Sequence, residues 1–139
     1  MQLEPYLFFT GGKCEEALNF YKSIFNGKIE ELSRWKEMPK DAGGPPVTPE
    51  TENMVMHANF RSHGVSFMAS DATPGKTYGE GSISLSLGTG DVAEAERVFK
   101  SLAEGGSVEM PLTDMFWGAK FGMLTDKYGI DWMINCQTG

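Results

Sequence analysis

Two amphipathic stretches 78 residues apart carry the same apolar spacing, and this internal repeat limits the fold more than any other feature of the chain. In the first, Cys14, Ala17, Leu18, Tyr21, Ile24 and Phe25 recur at three- and four-residue intervals, with Glu15 and Glu16 near the start and Asn26-Gly27 at the end. That is the pattern of an amphipathic helix with an acidic first turn and a glycine stop. The 78-residue offset carries Cys14 to Val92, Ala17 to Ala95, Tyr21 to Phe99, Ile24 to Leu102 and Gly27 to Gly105, and it also carries Tyr6 to Ser84. Toward the end of each half the offset falls to 65, so that Gly64-Val65-Ser66-Phe67-Met68 lies over Gly129-Ile130-Asp131-Trp132-Met133. The residues missing from the second half are those of the Pro- and Gly-rich stretch Met38 to Asn53, which cannot sustain regular pairing and reads as a long loop.

Strand signals surround both helices. Leu3 to Phe9 reads as a buried strand closed by Gly11-Gly12, Lys28 to Lys36 as a second strand, and Met54 to Arg61 with Val65 to Ser70 as a hairpin through Ser62-His63-Gly64. Ser82 to Leu87 alternates Ile83, Leu85 and Leu87 with serines, the period of two that marks a strand, and a second helix follows over Asp91 to Ala103. The expected fold class is therefore α+β, built from two tandem βαβββ units over about residues 1–75 and 79–136. A unit that cannot cover its own sheet face needs a second copy, so the chain reads as a single domain over 1–139. A hydrophobic fraction of 40% supplies enough material for a core.

The charge balance narrows the partners. A formal net charge of −7 argues against nucleic acid, whose phosphates draw clustered Lys and Arg. The apolar runs fall far short of the roughly 20 residues that cross a bilayer, so no membrane partner is expected. The opening Met1-Gln2-Leu3-Glu4-Pro5 has no basic leader, and the expected location is cytoplasmic. The 2 cysteines, Cys14 and Cys136, form no CxxC pair and are expected to be reduced.

Several short motifs, taken together, carry a family resemblance: Pro5-Tyr6-Leu7, Cys14-Glu15-Glu16-Ala17 with Phe20-Tyr21, His57-Ala58, Met68-Ala69-Ser70-Asp71, Phe116-Trp117-Gly118, Phe121-Gly122, and Thr125 to Gly129 with Trp132 to Asn135. The chain resembles the PhnB-like branch of the glyoxalase, bleomycin-resistance and dioxygenase superfamily, also called the vicinal-oxygen-chelate superfamily. The resemblance implies paired βαβββ units, a cupped mixed sheet, a small-molecule ligand and a homodimer. It also brings a label that relates such proteins to a demethylubiquinone methyltransferase. Gly88-Thr89-Gly90-Asp91 is the sole candidate for a Gly-rich methyl-donor turn, and the repeat already accounts for it as a strand-to-helix turn.

In metal-using relatives the ligands stand on the first and last strands of the units. Carried onto this chain, those positions are Tyr6, Ser84, Met68 and Met133. None suits a hard or borderline divalent ion, so no metal site and no cofactor are expected, although a divalent metal held by His57 and a carboxylate such as Asp71 stays open as an alternative. His57 is the candidate catalytic imidazole, with Asp71 beside it as a candidate. Strict alternation along Met54 to Phe60 would group His57 with Val55 and Asn59, on either the concave side or the side of the helices and solvent. The expected pocket lining is Tyr6, Met68, Ser84, Trp117 and Met133; Trp35, Trp117 and Trp132 could all line a pocket, and two of the three serve equally well as core or interface anchors. His63 is expected to be exposed in its turn, and Asp71 and Asp126 equally fit turn capping. Lys36 and Lys40 are the only cations near the long loop, too few for a phosphonate pocket. The leading reading is a metal-independent small-molecule pocket. Alternatives are a metal-dependent lyase, isomerase or dioxygenase, a methyltransferase-related protein, and a dimeric interaction module.

Overall fold

The computed structural model describes residues 1–39, 41 and 43–137. It divides into two compact units, Met1–Tyr78 and Gly79–Gly139. The first unit runs β1 (Tyr6–Phe9), α1 (Cys14–Phe25), β2 (Lys28–Arg34), a 3₁₀ turn (Trp35–Glu37), β3 (Val55–Ser62) and β4 (Val65–Asp71). Its sheet has the order β1-β4-β3-β2, with β1 parallel to β4 and the other pairs antiparallel. The second unit runs β5 (Leu85–Thr89), α2 (Val92–Ala103), β6 (Ser107–Met115), β7 (Ala119–Thr125) and β8 (Asp131–Gln137), in the equivalent order β5-β8-β7-β6. The chain is thus α+β, made of tandem βαβββ units.

Each helix buries the stripe that its spacing marks out. In α1 the buried residues are Cys14, Ala17, Leu18, Tyr21 and Ile24, and Tyr21 meets Phe67 of β4 edge-on at 5.8 Å. Phe67 in turn stacks on Phe60 of β3 at 4.8 Å. In α2, Ala95, Val98, Phe99 and Leu102 are buried. Gly122 of β7 lies under Phe99 so closely that a Cβ there would stand 2.7 Å from the ring, which only glycine avoids.

The helices are capped differently. Asp91 caps α2 locally by accepting from the Glu94 N–H at 3.3 Å. Lys13 gives α1 no such bond, and the Cys14 N–H donates instead to Oδ1 of Asp71, at the far end of β4, at 2.8 Å. The other oxygen of Asp71 accepts from the Val55 N–H at 2.8 Å. One buried carboxylate therefore ties the start of α1 to the start of β3, where the positive end of the helix dipole favours an anion.

Two expectations need correction. The first strand of the second half is β5, Leu85–Thr89, not Ser82 to Leu87, so Ser84 lies outside it. Tyr6 pairs with Met68 and Ser86 pairs with Met133, so the strands correspond at an offset of 80 while the helices keep 78. The turn between β5 and α2 is two residues shorter than the turn between β1 and α1, and Ser86 takes the place expected of Ser84. On β3 the register skips Met56: Ser33 pairs with His57 but Arg34 with Val55. This bulge breaks the alternation, so Val55 is buried at 1% exposure while His57 and Asn59 stay half-buried on the face turned away from α1.

Candidate functional site

The open face of the first sheet is fixed by register. Tyr6, Met68, Asn59 and Glu31 form one cross-strand row over β1, β4, β3 and β2. Across β4, the Tyr6 hydroxyl reaches Nδ1 of His57 at 3.0 Å, and the two rings lie 5.6 Å apart. The pair is half-buried and links residues 51 positions apart. Asn59 donates to Glu31 at 3.1 Å, and Arg61 pairs with Glu30 at 3.3 Å. A groove of about 530 Å³ adjoins the row, with Gln2, Glu4, Asn59, Arg61, Ser66 and Met68 in its wall.

Tyr6, His57 and Met68 are therefore brought together on one face of the first unit. Asp71 has a different setting: it is buried at 6% exposure, with both oxygens engaged by the backbone N–H groups of Cys14 and Val55. His63 is exposed in the β3–β4 turn. Lys36 donates to the Asn53 side chain at 2.9 Å, and Lys40 lies outside the described residues. Trp35 opens the long loop, and among the described residues its buried Nε1–H has no acceptor.

In the second unit, Met133 lies on the face of the sheet turned away from α2 and pairs with Met123, which pairs with Met110. Three thioethers thus line up across β8, β7 and β6, a deformable apolar floor that register alone reveals. Trp117 is in the β6–β7 turn, 49% exposed, edge-on to Phe116 at 5.1 Å. Trp132 is core at 1% exposure, and its indole N–H donates to Asp126 at 2.9 Å. The other oxygen of Asp126 accepts from the N–H groups of Tyr128 and Ile130. At the start of α2, Thr89 and Asp91 occupy the turn with their own hydrogen bonds, which leaves it a self-capped helix entry.

Two residues of the first face were not anticipated. Phe8 follows Tyr6 on the same side of β1, 46% exposed, and Tyr78 stacks on it at 5.2 Å. The alternation of β1 could have found Phe8, because Leu7 and Phe9 are the inward positions. Nothing local marks Tyr78.

The thiol of Cys14 is not a nucleophile of this site. Burial, followed by the charges of Asp71 and Glu15, pushes it from its ordinary value of 9.0 up to about 12. The folded chain thus holds a proton that the unfolded chain releases above 9.0, so this contribution to stability is complete below that pH and is lost as pH rises toward 12. Urea unfolding across this alkaline range should show Cys14→Ala losing less stability than the parent, by up to about 1.4 kcal/mol per pH unit. Identical slopes would contradict the assignment.

The sequence matches the family described as 3-demethylubiquinone-9 3-methyltransferase over residues 1–135. Protein PA1353 from Pseudomonas aeruginosa is 38% identical, with a TM-score of 0.85, covering 100% of this chain and 99% of that one. A Bacillus cereus protein described as a putative 3-demethylubiquinone-9 3-methyltransferase, PhnB protein, is 34% identical, with a TM-score of 0.79 over 98% and 99% of the two chains. Protein YjdN of Escherichia coli K12 is 35% identical over 97% of this chain and 95% of its own. A glyoxylase/bleomycin resistance protein/dioxygenase domain from Frankia shares the fold at 14% identity, with a TM-score of 0.64 over 99% and 98% of the chains.

Proposed function

Since the chain belongs to the 3-demethylubiquinone-9 3-methyltransferase family, the PhnB-like branch of the glyoxalase superfamily, we propose that it binds a small molecule on the open face of its first sheet, without a metal ion. The observation that carries this reading is the 3.0 Å bond between the Tyr6 hydroxyl and His57 Nδ1. If Tyr6 donates, Nε2 of His57 carries a proton to offer; if Nδ1 donates, the hydroxyl proton and the Nε2 lone pair become available. One pair can thus serve a ligand that accepts or a ligand that donates, and it can pass a proton between the two rings.

The donor set does not fit a divalent ion. The positions that metal-using relatives would use hold a phenol, two thioethers and, at Ser86, a hydroxyl, and Nδ1 of His57 is engaged by Tyr6. Among the described residues no three or more His, Cys, Asp or Glu are grouped so that they could hold a metal ion. No step is therefore routed through a metal, and none through a methyl donor, because the self-capped start of α2 offers no cradle for one.

The proposal includes the homodimer and the cytoplasmic location that the sequence suggests. Phe116, 97% exposed, and Trp117 form an apolar tip of the kind that association buries. Both cysteines are free and buried, which suits a reducing compartment. Among the described residues no helix is long and apolar enough to cross a membrane.

The test is a screen of uncharged small molecules by thermal shift, with hits titrated while the His57 ring resonances are followed by NMR. Hits should move those resonances, and Tyr6→Phe and His57→Gln should each weaken them about tenfold, the effect of one lost hydrogen bond of roughly 1.4 kcal/mol. Equal affinity in the parent and both variants would remove the pair from the site.

A further inference from the structure

The aromatic contacts of His57 continue past Tyr6. The Tyr6 and Phe8 rings lie 4.9 Å apart at 32°, and Phe8 and Tyr78 lie 5.2 Å apart at 17°. Four rings, His57, Tyr6, Phe8 and Tyr78, therefore stand in an unbroken row within the first unit. Its two ends differ in chemistry. The Tyr6–His57 end is half-buried and hydrogen-bonding, while Phe8 and Tyr78, 46% and 42% exposed, form a stacked apolar end in water. Tyr78 belongs to the segment after β4 that has no helix or strand before β5, so it reaches Phe8 from a loop.

Charge limits the ligand further. Among the described residues the cation–ring contact is Lys127 over Tyr128, in the other unit, and not at any of these four rings. Arg61 and Arg34 are paired with Glu30 and Glu15, and the chain as a whole carries −7. Among the described residues the four rings thus offer an anionic ligand no cation stacked on them, and Arg61, in the wall of the adjoining groove, is already paired. A saturated ligand would gain burial there, but not the face and edge contacts that a row of rings offers a flat π-system.

We propose that the ligand is a flat, uncharged aromatic of two or three fused rings with a hydroxyl or carbonyl on one edge. It lies along Phe8 and Tyr78 and turns that edge to Tyr6 and His57. This rests on the small-molecule reading above and adds the chemical class of the ligand.

The experiment uses three probes with the full chain: 2-naphthol, naphthalene, and decahydro-2-naphthol, which keeps the hydroxyl but is neither flat nor aromatic. Isothermal titration or fluorescence gives the affinities for the parent and for Phe8→Ala, Tyr78→Ala and Tyr6→Phe. The exposed positions of Phe8 and Tyr78 should leave these variants folded, which melting curves check. The proposal expects 2-naphthol to bind best, with Phe8→Ala and Tyr78→Ala each weakening it about three- to tenfold, as stacked pairs do. If decahydro-2-naphthol binds as tightly, responds to Tyr6→Phe and ignores Phe8→Ala and Tyr78→Ala, the aromatic class is wrong and the Tyr6–His57 site survives. If 2-naphthol and naphthalene bind equally and only Phe8→Ala and Tyr78→Ala matter, the polar edge falls, and the Tyr6–His57 reading with it. Failure of 2-naphthol to bind up to its solubility limit overturns the flat-ligand proposal.

Discussion

Asp71→Ala is expected to destabilise the protein by about 3–5 kcal/mol, because it strands two buried backbone N–H groups at once and each charge-assisted bond is worth roughly 1.5–3 kcal/mol. The donors are Cys14 and Val55, each at 2.8 Å, and they belong to the first turn of α1 and the first residue of β3. Cys14 is 0% and Val55 1% exposed, so both donors lie away from bulk solvent. In a chain of this size the loss should lower the melting temperature by about 10–20 °C. Asp71→Asn keeps one acceptor oxygen but turns an NH₂ toward the second donor, so it should recover about half of the loss. A change below about 1 kcal/mol in Asp71→Ala would refute the bracing role and reopen Asp71 as a catalytic group.

Asp126→Ala is the counterpart in the second unit, with an expected cost of similar size, about 3–5 kcal/mol. Here three donors lose their acceptor: the N–H groups of Tyr128 and Ile130 at 2.8 and 3.1 Å, and the indole of Trp132 at 2.9 Å. Trp132 is 1% exposed, so its orphaned N–H would remain in the core. Equilibrium unfolding of Asp126→Ala, Trp132→Phe and the double variant separates the indole bond from the turn bonds. The double variant should be less destabilised than the sum of the singles. Strict additivity would mean that the indole bond contributes nothing.

These two carboxylates mark what the sequence could and could not reveal. An Asp in a turn that bonds its own backbone two and four residues on is a local pattern, and Asp126 follows it. Asp71 looks the same in sequence, yet its partners lie 57 and 16 residues away, and only the strand order β1-β4-β3 brings them near. The helices were legible for the opposite reason: a stripe with a period of 3.6 is a local property, and Cys14–Phe25 and Val92–Ala103 match it. Strand register was legible only in part. The helix offset placed Ser84 opposite Tyr6, but a turn shorter by two residues moved that role to Ser86. A skipped residue at Met56 likewise separated Val55 from His57. The Tyr6–His57 bond crosses an intervening strand, so neither residue announces the other, and the partner ring of Tyr78 had no local signal at all.

The unequal capping of the helices sets an order in which native structure can form. Asp91 reaches its donor three residues away, so α2 can close its first turn on the submicrosecond timescale of helix nucleation, before any sheet exists. The start of α1 must wait for Asp71, a closure of more than fifty residues that includes the long loop. As the chain leaves the ribosome, α2 can therefore be capped as soon as its own first turn has emerged, whereas the start of α1 is held only by transient turns until β4 follows it.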